Sequence, residues 1–210
     1  MNEDLSIPEK IRAIKKDLRL AMNGVVSTLQ RNQGLNYKIN FGVEIPRLKG
    51  IAAKYEKDEE LAISLWNDNI RECKMLAIFL LPEECYSNII DKWVAEVPYT
   101  EIADHLAKEI LCKIPDIAEV SVNWLAKEEG LHSYCGYMTL SNLFRKGMVL
   151  NKDKELLYIS QAVKEIKKTN HSPIAKAAYN SLMIYSDSGE EIEERINSAL
   201  EAADIITDQD

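Results

Sequence analysis

The stretch LAISLWNDNIRECKMLAIFLL, residues 61–81, decides how the chain is read. Its apolar residues recur at three- to four-residue spacing on both sides of a short connection, which predicts two consecutive helices over 58–67 and 70–81. Trp66 closes the first helix, and Met75, Leu76, Ile78, Phe79 and Leu80 form a compact apolar set on the second. The arrangement returns downstream: Trp93 and Trp124 follow, and behind them come the sets Ile102, Leu106, Ile110, Leu111 and Tyr137, Met138, Leu140, Leu143, Phe144. Helices are predicted over 83–95, 99–112, 116–128, 131–146, 153–168, 173–186 and 189–204. Helix pairs recurring at roughly 30–40 residues are the signature of an α-solenoid of HEAT or armadillo type. The expected fold is therefore all-α, built of antiparallel helix pairs, with the three indoles at least partly buried between repeats. A compact helical bundle is the rival, and it gives no reason for the recurring tryptophans.

Upstream, Ser6, Pro8 and Glu9 have the form of a capping box. It opens an amphipathic helix whose stripe is Ile7, Ile11, Ile14, Leu18 and Met22. Gln33–Glu44, with two glycines, is expected to be a loop. Pro46 then sits in the first turn of a helix expected to run to about Glu56. At the other end Ile192, Ile196, Ala199, Leu200 and Ala203 form one stripe under a cover of acids, as a helix sealing the last repeat would. The organisation read from this is one domain: N-terminal helices in 1–57, repeats in 58–186, and an acidic capping helix and tail in 187–210.

Composition narrows the class. The chain has 210 residues, 46% hydrophobic and 29% charged, which suits a globular protein with a sizeable core. Only 8 Gly and 6 Pro, with 7% aromatics, argue against an all-β fold that turns every ten residues. The longest apolar run, Met75–Leu81, is far short of the ~20 residues that span a bilayer, so no membrane segment is expected. The start, MNEDLSIPEK, lacks the apolar core of a secretory signal. Cys73, Cys85, Cys112 and Cys135 are widely spaced, which suits reduced core thiols and a cytoplasmic location. The net charge of −8 is local: residues 187–210 carry nine acids and one base, and the remaining chain has 25 of each.

Few constellations could carry chemistry. His105, His132 and His171 have no partners at metal-ligand spacing, and no nucleotide-binding glycine loop or nucleophile elbow occurs, so neither metal nor cofactor is expected. His132 and Cys135 share a helical face but lack a third partner, and a core thiol beside a surface histidine is the better reading. Two stretches are basic. One is Lys10, Arg12, Lys15, Lys16 and Arg19; the other spans 145–176, where Arg145, Lys146, Lys152, Lys154, Lys164, Lys167, Lys168 and Lys176 face three acids. A repeat array can gather such groups into one phosphate-tracking surface, although ordinary solvated helix faces have the same composition. Asn170, His171 and Ser172 add hydrogen-bonding groups to the second stretch. Finally, in VPYTEIADHL (97–106) Thr100 is placed to cap a helix, and Asp104 lies off the face carrying Ile102 and Leu106. Near a helix N-terminus an acid is favoured by the dipole alone, by about 0.3–1 kcal/mol.

Taken in order, FGVEIPRLKGIAAKY, LAISLWNDNIRECKMLAIFLL, YTEIADHL and SVNWLAKEEGLHSYCGYMTLSNL resemble the HEAT-like-repeat DNA alkylation repair family of DNA glycosylases over roughly residues 35–186. The most specific features are Gly42-Val43 with Pro46, Leu65-Trp66 followed by Glu72 and Leu76-Ala77, and the single aspartate at Asp104. The resemblance implies a repeat protein that grips duplex DNA, without cofactor, and an aspartate that promotes loss of a cationic alkylated purine. It assigns Asp104 to catalysis and places Tyr99, Thr100 and Tyr134 beside it as DNA contacts. If DNA is the ligand, the basic stretch adds Arg145, Lys146, Lys167, Lys168 and His171 as expected contacts, and a monomer is expected. Tyr99 and Thr100 stand where active members usually carry tryptophans, and Tyr134 or its neighbour where they carry an arginine, with no basic residue nearby. Lys49 stands where arginine is common. The alternative reading is a catalytically inactive HEAT-like module that binds DNA structures or a protein partner.

Overall fold

Local chemistry at the helix ends sets the framework of the structure, a computed structural model that describes residues 5–168 and 172–205. Glu9 reaches back to Ser6, its carboxylate accepting from the Ser6 backbone N–H at 2.9 Å and from its hydroxyl at 2.6 Å, and α1 (Ile7–Leu20) begins there. Those two bonds, the hydroxyl's first, hold the Glu9 carboxyl below its ordinary range. The helix ends two residues before Met22, which is exposed rather than part of the buried stripe. Asn23 then caps a helix that the apolar spacing did not announce, α2 (Gly24–Asn32), by accepting from Val25 and Val26 N–H. After the loop expected over 33–44 comes α3 (Ile45–Ala52), with Pro46 in its first turn. It is shorter than expected, because Lys54 and Tyr55 N–H turn to the carbonyls three residues back, closing the end as a tight turn.

The remaining helices are α4 (Glu59–Trp66), α5 (Arg71–Leu80), α6 (Tyr86–Glu96), α7 (Thr100–Glu109), α8 (Ile117–Trp124), α9 (His132–Phe144), α10 (Lys152–Lys168), α11 (Pro173–Ser186) and α12 (Glu190–Glu201). Single 3₁₀ turns precede α6 and follow α7. No strand occurs among the described residues; one isolated bridge joins Ile39 and Ile70. The fold is all-α and of the HEAT-like repeat class, and Trp66, Trp93 and Trp124 are buried in it.

The chain divides into two compact units, Met1–Ile89 and Ile90–Asp210. In the first, α1 packs on α4, and α3 and α4 pack on α5, closing over Ile14, Leu18, Leu48, Leu61, Leu65 and Trp66. An ion pair lies inside this core. Glu72 is fully buried and Arg71 nearly so, with Arg71 Nη1 3.1 Å from Glu72 Oε1. Neither charge is left wanting. The Glu72 carboxylate accepts from Phe41 N–H at 3.1 Å and Val43 N–H at 3.2 Å, while Arg71 donates to the Val43 carbonyl at 3.0 Å. The pair therefore pins the 41–43 loop, and Gly42 is the residue that lets the loop lie close. It has φ +69°, and a Cβ there would overlap the Asn23 carbonyl and come to 2.6 Å from Ser27 N.

In the second unit α9 is central and packs on α7, α8 and α11. Gly136 permits the approach to α8: a Cβ would sit 2.8 Å from the Ser121 carbonyl oxygen. Phe144, Tyr158 and Tyr185 stack into an aromatic group between α9, α10 and α11. Ile192, Ile196 and Leu200 of α12 join the same core.

Candidate active site

Asp104 lies in the second turn of α7, and its site is assembled from one helix contact. The N-cap of α7 is Tyr99, not Thr100; Thr100 is the first helical residue. Its hydroxyl does not cap the helix, which has no side-chain cap; it lies near enough to the Tyr134 phenol to favour the ionised phenol slightly. Tyr134, in the first turn of α9, donates its own hydroxyl to Asp104 Oδ1 at 2.9 Å. The α7–α9 packing thus joins Tyr134 to Asp104 by a hydrogen bond, beside Thr100.

Asp104 and Tyr134 are both half-buried, and among the described residues no Lys or Arg lies within ion-pair distance of the carboxylate. Burial pushes the Asp104 carboxyl above its ordinary range. The Tyr134 hydrogen bond pulls it down, and the charge of Glu101, one turn earlier, pushes it up again. Tyr134 is raised as well, first by burial and then by the Asp104 charge, so it stays a protonated donor. The neighbouring Cys135 is buried, its thiol pushed up to about 12, and His132 is turned to the Glu129 carbonyl at 2.9 Å. A thiol in that state is no nucleophile, and the Cys135–His132 pair is set aside.

Removing the Tyr134 hydroxyl tests this geometry. In Tyr134→Phe the bond that favours the charged form is lost, so the Asp104 carboxyl should titrate at higher pH than in the wild type. Carboxyl-carbon NMR of the two proteins reads this directly; coincident titration curves would contradict the contact.

The basic residues read from the sequence are placed less uniformly. Arg145 and Lys146 are exposed just past the end of α9, with Lys146 Nζ 3.4 Å from Cys112 Sγ. Lys167 is exposed at the end of α10, but Lys168 is held by Glu128 and by Glu165, each at 3.2 Å. Ser172 is engaged as the N-cap of α11, its hydroxyl accepting from Ala175 N–H. Asn170 and His171 lie outside the described residues. In the N-terminal cluster Lys10 pairs with Asp58 and Lys15 with Asp68, partners about 50 residues away that no count of local charge reveals. No group of three or more metal-ligating side chains occurs among the described residues.

The fold is an all-helical repeat scaffold, and among the described residues Asp104 is a half-buried carboxylate on it with a hydrogen bond from Tyr134 and no counter-cation. The chain belongs to the DNA alkylation repair enzyme family, whose model matches residues 18–193. It is also similar to a solved structure described as "a new family of proteins related to the HEAT-like repeat DNA glycosylases with affinity for branched DNA structures". That likeness has a TM-score of 0.73 at 20% identity, covering 91% of this chain and 82% of the other, and it speaks for the fold. No curated protein matches the chain. No helix among the described residues is long and apolar enough to cross a membrane.

Proposed function

We propose that the protein binds duplex DNA as a monomer and hydrolyses the N-glycosidic bond of a cationic alkylated purine, with Asp104 as the catalytic carboxylate. The observation that carries this is the solitary state of that carboxylate: half-buried, oriented by Tyr134, and met by no cation among the described residues. A desolvated charge without a counter-cation is only partly neutralised by its surroundings, and it favours a positive group brought to it. Loss of a base that already bears positive charge builds oxocarbenium character on the sugar and needs no acid to protonate the leaving group. One fixed carboxylate then suffices to stabilise the sugar and orient water. Base release from methylated duplex DNA, by wild type and Asp104→Asn side by side, is the test.

A second reading, DNA-structure binding without base release, is favoured by the Tyr134 bond itself, because a donor on Oδ1 reduces the charge available to a sugar cation. The likeness to a protein described as having affinity for branched DNA supports the same reading. Both readings require a grip on phosphates. Lys167 is exposed and has no ion pair among the described residues, whereas Lys168 must leave two carboxylates to reach DNA. Lys167→Ala should therefore weaken binding to all sequences alike and lower the salt slope by about 1, with Lys168→Ala doing less. A loss confined to one sequence, or an unchanged slope, would exclude Lys167 from phosphate contact. The single-domain organisation with an acidic cap in 187–210 belongs to this proposal. So does a cytoplasmic location, which the free and buried state of all four cysteines supports.

A further inference from the structure

The corner between α1 and α2 presents its apolar side chains to solvent. Leu20, Met22, Val25 and Leu29 are 76%, 62%, 73% and 55% exposed, four large hydrophobic residues within ten positions. The inversion is built in. The buried position of α2 is Ser27, whose hydroxyl donates to the Asn40 carbonyl at 2.9 Å, and the 40–42 loop lies close against the start of the helix around Gly42. Val25 and Leu29, one turn apart, are left on the outer side of a helix held from within.

The charge around this patch has one sign. No acidic residue occurs between Asp17 and Glu44, and Asp17 is already paired with Lys54 at 2.6 Å. Lys16, Arg19, Arg31 and Lys38 are exposed and, among the described residues, have no ion pair. An apolar centre with a cationic rim complements a surface of base faces bordered by phosphates. In continuous duplex those faces are hidden in the stack, whereas a branch point exposes them, and aliphatic side chains of this kind insert at unstacked steps. A second copy of the chain meeting this face symmetrically would bring Arg19 and Arg31 towards their own equivalents. A nine-residue helix without Trp or Phe is also a poor fit to a lipid surface.

We propose that the α1–α2 corner is a wedge for unstacked bases at a DNA branch point, with Met22, Val25 and Leu29 covering the base faces and Arg19 and Arg31 holding the flanking phosphates. This deepens the DNA-binding reading above and rests on it.

The test uses the full chain with a three-way junction and a linear duplex of matching sequence, followed by fluorescence anisotropy, with 2-aminopurine at the branch as a second probe. The Met22→Ser/Val25→Ser/Leu29→Ser variant changes exposed positions only, so its melting temperature should match the wild type; the single Leu29→Gln variant serves if it does not. The variant should keep its duplex affinity and bind the junction about tenfold more weakly. The 2-aminopurine emission should rise with wild type and not with the variant. Equal losses on both DNAs, or none on either, overturn the wedge while leaving DNA binding intact. A wild-type dimer that the variant dissolves, or wild-type binding to anionic vesicles that it abolishes, with junction affinity unchanged, assigns the face to those partners instead. A wild type that binds neither DNA overturns both the wedge and the reading beneath it.

Discussion

Asp104→Asn should cut base release from methylated duplex DNA by about 100-fold or more, the scale of one lost electrostatic stabiliser, and should cost no stability at neutral pH. The two halves of that expectation have one cause. Burial raises the Asp104 carboxyl above its unfolded value, so at neutral pH the folded protein holds a charge that the unfolded chain carries more easily. The folded state binds more protons at this site, and stability contributed here falls as pH rises from the unfolded value through the raised folded one. Asparagine removes that penalty while its side-chain oxygen still accepts from Tyr134. The variant should therefore melt no lower than wild type at pH 7, and its advantage should vanish under acid conditions. Activity runs the other way: only the ionised carboxylate serves, so base release should decline on acidification at a higher pH than an ordinary aspartate would dictate. If Asp104→Asn melts several degrees lower and releases base at the wild-type rate, the carboxylate is structural and the glycosylase reading fails. DNA affinity should be the same in both proteins.

Where the chain could be read from its sequence, side-chain periodicity and burial agree. α11 starts after Ser172 and ends at Ser186 as expected, because a cap, a first-turn proline and an apolar stripe all point to one helix. α2 escaped for the opposite reason: its buried position is a serine and its apolar side chains face water, so the usual pattern is inverted. The extension of the α1 stripe to Met22 fails at the same corner. The features that made the chain resemble its family turn out to be largely architectural. Glu72 and Gly42-Val43 are thirty residues apart in sequence and bonded in space, which explains their occurrence together and removes Glu72 from any catalytic list. Asp104 was legible as an acid off the apolar face of its helix, one turn after Glu101, and only the family resemblance singled it out. Its partner was not, because Tyr134 is 30 residues away and only the α7–α9 packing brings its hydroxyl within reach. Charge counting misjudged the N-terminal basic cluster, since Asp58 and Asp68 neutralise two of its members from α4 and the turn that follows it.

Deleting residues 188–210 should lower the melting temperature by about 10 °C or more, although it nearly neutralises the chain, leaving 26 acids against 25 bases. Ile192, Ile196 and Leu200 are buried in the core formed with Leu182 and Tyr185, and burying each aliphatic side chain is worth about 1.5–3 kcal/mol. Their loss also opens the underlying face of α10 and α11 to water, which favours association. An electrostatic loss adds to the apolar one. Glu155 is buried in the first turn of α10 and accepts from Tyr185 hydroxyl at 2.9 Å and from Arg195 Nε of α12 at 2.6 Å. The truncated chain keeps the tyrosine and loses the guanidinium, so a carboxylate still packed against Tyr185 and partly desolvated is left without its cation, an unfavourable state. The two losses can be separated. Glu155→Gln in the truncated protein removes the stranded charge and keeps an acceptor for Tyr185, so it should recover part of the melting temperature. The same substitution in the full chain should instead destabilise, by breaking the pair with Arg195. Opposite signs in the two backgrounds are the expected result. A truncated protein that melts like the full chain, or a Glu155→Gln effect of the same sign in both, would show that α12 neither seals this core nor neutralises Glu155.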